Sequence, residues 1–487
     1  MTDDARPAQL GANAPAPPSL SSAVTQPRLR ELSPTMMWLT AVGIVVLTAG
    51  AVVVLWWPAT RGLNGAELVF GRLNALKVGL SVAVGSGGVV ALYLSWRRQH
   101  SAERTLAHQE HDSAERRLTE LYLKAVEQLG SPQAAVRHGG LYALERVAQD
   151  NPRQQQTVVN VICAYLRNPY TPPPETGGPR PQGVRRPLLK TTARPRTPAA
   201  PTNSGARETQ QQEREVRLTA QRILYQHLQP GQNPDHQRPE FWRDIDIDLT
   251  GATLIDFSLV NCRIITASFR NATFTGRAGF GGAVFGGEVS FHGAKFGGFV
   301  NFVEAEFGSE TLFFEAKFGE ARFDRAKFGG DAWFPQVEFG GDARFDRVKF
   351  GGDAWFSRAK FGGGAKFDEV GFGGYVNFVE VEFGGNTGFA GVEFHGDTSF
   401  GGAVFGGRAS FSMAVFGGEA IFGGAEFGNA SFFGAKFGGN TSFDGTEFGG
   451  DAWFKEAVYD GRVFDPTEHG VTRRADHPDP AGGPDPM

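Results

Sequence analysis

Three copies of one motif, Phe-Gly-Gly-Asp-Ala-Trp-Phe, occupy 328–334, 350–356 and 448–454. They hold the residue types a binding site uses: glycines that admit a ligand, an aspartate to act as acid or metal ligand, and Trp333, Trp355 and Trp453 as stacking platforms. Other reactive residues are scattered. No histidine has a partner at metal-ligand spacing, and no His-Glu-x-x-His pattern exists. Gly362-Gly363-Gly364 is followed by no Gly-Lys-Ser/Thr, so it lacks the lysine and hydroxyl of a phosphate loop. His138 and Cys163 each stand alone within a helical pattern and read as packing residues. Asp331, Asp353 and Asp451 recur with one period and share much the same surroundings, whereas an acid and base pair needs surroundings that differ. No enzyme, cofactor or metal site is expected.

What must position the three tryptophans is a long internal repeat. Phenylalanines stand at Phe269, Phe274, Phe280, Phe285, Phe291 and Phe296 and so on to Phe454 and Phe464, with Tyr459 standing in once. The steps are five or six residues, usually alternating, so the working unit is about eleven. Two residues before each aromatic lies Ala, Val or Thr, as in Ala267, Ala272, Ala278, Ala283, Val289 and Ala294. Arg462 before Phe464 breaks the rule and marks the end.

A small and a large apolar residue two apart share one strand face. Repeated every five or six residues, they describe one side of a coil that turns a corner after each side. The Gly-Gly pairs after phenylalanine are expected at those corners because glycine accepts positive φ. The motif then reads as a building unit: Phe fills the interior, Ala makes room and Asp faces water. From Phe328 to Phe350 is four steps, and the third copy stands 18 steps past the second. Which of Trp333, Trp355 and Trp453 share an outer face depends on how many sides make one coil. These three residues are the candidate partner surface.

The units Ile-Asp-Leu-Thr-Gly, Ala-Thr-Leu-Ile-Asp and Phe-Ser-Leu-Val-Asn from Ile247 resemble those of pentapeptide-repeat proteins, and the later units their Phe variant. The resemblance implies an all-β right-handed quadrilateral β-helix over 247–464, roughly ten coils and about 50 Å long at about 4.8 Å per rung. Four steps are then one coil, so Trp333 and Trp355 should stack on one outer face and Trp453 should face the opposite side. The six-residue steps imply about 22 residues per coil, against 20 for uniform five-residue steps.

Before the repeat, residues 1–35 read as a disordered tail. Residues 36–57 and 78–96 are uncharged runs long enough for two membrane spans, joined by a short outside loop over 58–77. Trp38, Trp56, Trp57 and Trp96 sit at their ends, and the flanking arginines place both termini in the cytoplasm. Residues 97–168 are helical, with one helix opening at Asn151-Pro152. Residues 169–207 form a linker rich in Pro and Arg, 208–246 a helix leading into the coil, and 465–487 a disordered tail. The segment from Leu118 to Arg167 resembles one found between membrane helices and repeats in membrane-associated pentapeptide-repeat proteins of actinobacterial type.

Cys163 and Cys262 are the only cysteines, which excludes a disulfide framework. A net charge of −4 argues against nucleic acid as partner. Charge is uneven along the coil. Residues 248–366 hold 14 acidic and 14 basic residues, whereas 368–460 hold 13 acidic and 3 basic, namely Arg408, Lys436 and Lys455. The expected role is a membrane-anchored rod that binds an unidentified protein partner from the cytoplasm. The alternative, drawn from similarity to pentapeptide-repeat proteins that imitate DNA, is modulation of a type II topoisomerase by the acidic half.

Overall fold

The computed structural model describes residues 34–60, 66–173, 204–231 and 237–471. They divide into two compact units, one up to Ala114 and one from Glu115. The N-terminal tail, most of the proline-rich linker and the end of the C-terminal tail lie outside the described residues.

In the first unit, α1 (Pro34–Thr60) takes up the first apolar run. α2 (Ala66–Leu129) begins inside the stretch expected as a loop and carries the second run without a break into polar sequence. Nothing stops it: Ala66 to Lys77 includes no proline and many good helix formers. A side chain on Gly79 would strike Val52, so the glycine lets the two helices approach. Arg72 lies over the Trp56 ring, 5.6 Å from its centroid. Among the described residues no helix is long and apolar enough to cross a membrane, so two spans at 36–57 and 78–96 find no support here.

In the second unit, α3 (Ala134–Asp150), α4 (Gln155–Arg167) and α5 (Ser204–His227) pack at the start of the coil. α5 starts inside the expected linker. Pro152 opens a single 3-10 turn before α4, as a proline at the first helical position does. Val158, Ile162 and Leu166 of α4 and Ala220, Ile223 and Leu224 of α5 share one core with Leu249, Leu254 and Phe257 of the coil.

The helices also satisfy the first coil's open backbone. Gln221 donates to the Ile255 carbonyl at 2.7 Å and accepts from its amide at 2.9 Å. Gln156 does the same for Asp246, both at 2.9 Å. Each glutamine replaces a missing strand. His227 is buried against Trp242, ring centroids 4.1 Å apart, with its two nitrogens 2.6 Å from the Glu240 carbonyl and 2.7 Å from the Glu145 carboxylate. The segment expected only to lead into the coil is its cap.

The coil has four faces, named here in chain order. The first carries Ala332–Trp333, the second Glu338–Phe339, the third Ala343–Arg344 and the fourth Lys349–Phe350. Each strand pairs in parallel with the same face of the next coil. The first face is a ten-stranded sheet, and the second and third join into one sheet through Val404–Ser410 and Glu426–Ser431. The rise per coil is 20 residues where Asp246 meets Thr266 and 22 where Asp342 meets Gly364, as six-residue steps require. Inside, phenylalanines stack rung on rung: Phe323, Phe345 and Phe367 stand 4.7 Å apart with planes within 5°.

Two expectations fail in detail. Most Gly-Gly corners do without positive φ, Gly282, Gly402 and Gly424 being the exceptions. It falls instead in the five-residue corners, largely on residues with side chains, such as Gln336 (56°), Arg347 (60°) and Arg358 (59°). The Gly-Gly pairs answer a demand for space: a Cβ on Gly352 would stand 2.8 Å from the Gly330 carbonyl carbon, and one on Gly385 2.6 Å from that of Gly363. At the far end the chain continues past Phe464 as ordered structure. Arg462–Val463 folds back antiparallel on Val458–Tyr459, and a 3-10 turn, Pro466–His469, lays the His469 carbonyl 2.8 Å from the Phe443 amide. The His469 ring covers Phe464 at 4.7 Å, closing the last coil.

Candidate interaction surface

The register of the coil decides which outward side chains can meet. Trp333 pairs with Trp355 on the first face, and their rings stack at 5.0 Å with planes 4° apart. Trp453 pairs with Ser431 on the third face, across the coil from the other two. Two of the three candidate residues come together and the third does not.

Sequence reasoning missed three members of the same ladder. Phe314 stacks on Trp333 at 5.8 Å, His292 stands 6.1 Å from Phe314, and Tyr375 tilts against Trp355 at 5.2 Å. Of these, only His292 and Phe314 stand one 22-residue period apart; Phe314 and Tyr375 lie two places to either side of the residues that pair with the tryptophans, Leu312 and Asn377, which a count of inward phenylalanines overlooks. The tryptophan faces are thus covered by neighbouring rings, so they offer edges and no free stacking platform. The indole N–H groups of Trp333 and Trp355 and the Ser290 hydroxyl are buried without a hydrogen-bond partner, and all three lie on this face.

The first face is also uncharged. Its outward strand residues over seven rungs are Ser290, Leu312, Trp333, Trp355, Asn377, Ser399 and Ile421. Two places further along each rung stand His292, Phe314, Pro335, Ser357, Val379, Gly401 and Gly423, so no Lys, Arg, Asp or Glu interrupts it. Beside it, a depression of about 250 Å³ is lined by Pro335, Gln336, Ser357, Arg358, Asn377, Val379 and Glu380.

Elsewhere the surface is laddered by ion pairs between rungs. Lys317 meets Glu338 at 2.8 Å, Lys327 meets Glu306 at 2.6 Å and Arg347 meets Glu369 at 2.8 Å. Arg358 meets Glu380 at 2.7 Å and Lys360 meets Glu382 at 2.9 Å. Such exposed pairs add about 0–1 kcal/mol each and act more on register than on stability.

The aspartate of the repeated motif does more than face water. Asp331 accepts the Asp353 amide at 2.9 Å, Asp353 accepts the Tyr375 amide at 2.8 Å, and Asp397 accepts that of Glu419 at 2.8 Å. Each carboxylate fastens the rung above. On the third face, burial and then the neighbouring Asp368 and Asp324 push the Asp346 carboxyl above the usual range. Burial pushes the Cys163 thiol up to about 12 and the Cys262 thiol up as well, so both are packing residues held as thiols. Among the described residues no three His, Cys, Asp or Glu stand close enough to hold a metal ion.

A sequence profile of pentapeptide repeats (9 copies) matches the coil in overlapping windows from 291–337 to 389–436. Over 291–436 the coil is thus built of pentapeptide repeats. Its roughly ten turns are those expected of this β-helix. Among solved structures, the solenoid is similar to HetL, a pentapeptide repeat protein involved in heterocyst differentiation regulation from the cyanobacterium Nostoc sp. Strain PCC 7120. The likeness covers 46% of this chain and 94% of that one, with 15% identity and a TM-score of 0.21. No curated protein matches the chain.

Proposed function

We propose that the pentapeptide-repeat solenoid is a non-catalytic rod that binds a protein, held at a membrane by α1 and α2 with the coil on the cytoplasmic side. One observation carries the binding role. The interior repeats the same Phe and Ala or Val from rung to rung, while the outer residues differ from face to face, with one face free of charge and the others laddered by ion pairs. A rod with only a structural task has no need of unlike faces. The membrane role draws support from apolar side chains exposed on α1 and α2, among them Trp38, Val45, Trp57, Phe70, Leu80 and Leu92.

Proximity labelling from the C-terminus in a native host tests the first part, with residues 1–114 alone as the reference. Proteins labelled only by the full chain support it, and a pattern equal to the reference refutes it. Flotation of the chain with lipid vesicles tests the second, and a chain that stays at the bottom of the gradient refutes it.

The acidic excess of 13 to 3 over residues 368–460 favours a second reading, modulation of a type II topoisomerase by imitation of DNA. The purified chain should then inhibit gyrase supercoiling at micromolar concentration. No effect at that concentration ends this reading.

A further inference from the structure

The uncharged first face has an acidic rim. Along the corner that precedes it, the rungs present Glu288, Glu310, Asp331, Asp353, Asp397 and Glu419, with Tyr375 alone neutral. Along the corner that follows, Glu315 and Glu380 are exposed, the one cation of that corner, Arg358, is already paired with Glu380, and the other four positions are Gly or Gln. Between the rims lies a floor of aromatic and aliphatic edges with three buried polar groups that lack partners. A second copy of this chain is a poor occupant, since either way of laying two such faces together sets acidic rim near acidic rim.

We infer that the first face docks a basic amphipathic helix laid along the coil axis, its apolar stripe on Leu312, Phe314, Trp355 and Ile421 and its Lys or Arg residues on the two rims. The inference rests on the protein-binding reading above and names the chemistry of the partner. The dimensions agree. Seven rungs at about 4.8 Å give a floor about 34 Å long, the length of about 22 helical residues at 1.5 Å each. Two outward residues per rung make the floor about 7 Å across between Cα atoms, the width of an apolar stripe on a helix about 10–12 Å in diameter. An extended strand would leave one of the rims without a counter-charge. Helix-in-groove recognition uses the same i, i+3, i+4 and i+7 anchors.

The test uses the purified full-length chain and a fluorescent peptide of about 22 residues, sized to the floor at 1.5 Å per residue and built of Leu and Lys in amphipathic helical order. A peptide of the same composition, scrambled to destroy the apolar stripe, is the control for charge alone. The ordered peptide should bind at least tenfold more tightly. Ile421→Lys on the floor should weaken it at least tenfold, whereas Val404→Lys, equally exposed on the second face, should change it less than twofold. Glu288→Gln with Glu310→Gln should weaken it severalfold and flatten its salt dependence.

Equal binding of the two peptides, or equal losses from Ile421→Lys and Val404→Lys, would overturn the inference. Circular dichroism of both variants shows that a loss reflects the surface and not misfolding. If proximity labelling exceeds the reference while the peptide fails these tests, the rod reading stands and this one falls. If labelling equals the reference, both fall.

Discussion

Two kinds of corner alternate around the coil, and they treat glycine in opposite ways. The five-residue corners need a residue at positive φ, the conformation glycine favours, yet more of them put a residue with a side chain there than a glycine, as at Glu315, Gln336 and Arg347. The six-residue corners need no positive φ, yet they hold nearly all the Gly-Gly pairs because the rung beneath leaves no room for a Cβ. The local strain of roughly 1 kcal/mol at each five-residue corner is outweighed by the stacking of a whole rung. A backbone collision cannot be outweighed in that way, since relieving it would part the rungs. In a solenoid, contact with the next repeat outranks the preference of the single residue.

Mutations separate the two demands. The scale is set by the side between the corners: Phe345→Ala removes a fully buried ring from its stack and should cost about 3–5 kcal/mol in denaturant unfolding. At a six-residue corner, Gly352→Ala should cost about 2–3 kcal/mol, because the new methyl meets backbone and only a shift of the rung relieves it. The opposite swap at a five-residue corner, Arg347→Gly, should stay within about 0.5 kcal/mol. A result in which these two corners respond alike would break the distinction.

At the same six-residue corner, Asp353→Ala removes the acceptor of the Tyr375 amide and should cost about 1.5–2 kcal/mol. Asp353→Asn should cost less, since Asn429 accepts the Asp451 amide in the equivalent way at 2.9 Å.

The smallest effect concerns pH and the third-face aspartates. The Asp346 pKa is raised in the folded state, so the folded chain binds its proton more tightly than the unfolded one. Its ionised form therefore opposes folding above the carboxylate range, and the opposition disappears as pH falls through the raised pKa. Asp346→Asn should be neutral or slightly stabilising at pH 7 and lose that advantage near pH 4. A variant markedly less stable at neutral pH would show that the carboxylate is needed there.

Much of this was legible in the sequence, for identifiable reasons. The four-sided coil followed from the resemblance of its units to pentapeptide repeats, and the 22-residue rise and the Trp333 and Trp355 stack followed from counting steps on it, because inward positions repeat strictly. The reason for Gly-Gly was misread because one sequence shows that glycine is present, whereas the obstacle lies on the rung beneath. The cap was missed because Gln156 and Gln221 satisfy backbone edges as single residues, with no period to announce them. The closing turn at Pro466–His469 was hidden for a similar reason, since it begins where the repeat rule stops. The uncharged face was readable, but only after the outward residues were sorted by face, a step that needs the register.

The shared register has one more consequence. Asp342 and Gly364 occupy equivalent positions 22 residues apart, so removing 343–364 would join chain ends that already lie one above the other. Each rung leans only on its neighbours, and solenoids of this kind gain or lose whole repeats without loss of fold. For the first face such a change would alter the spacing of its features and leave their chemistry intact: Trp333 would stack directly beneath Tyr375 and Asn377. Length and surface pattern are thus separately adjustable, and selection can retune the span of this rod a coil at a time.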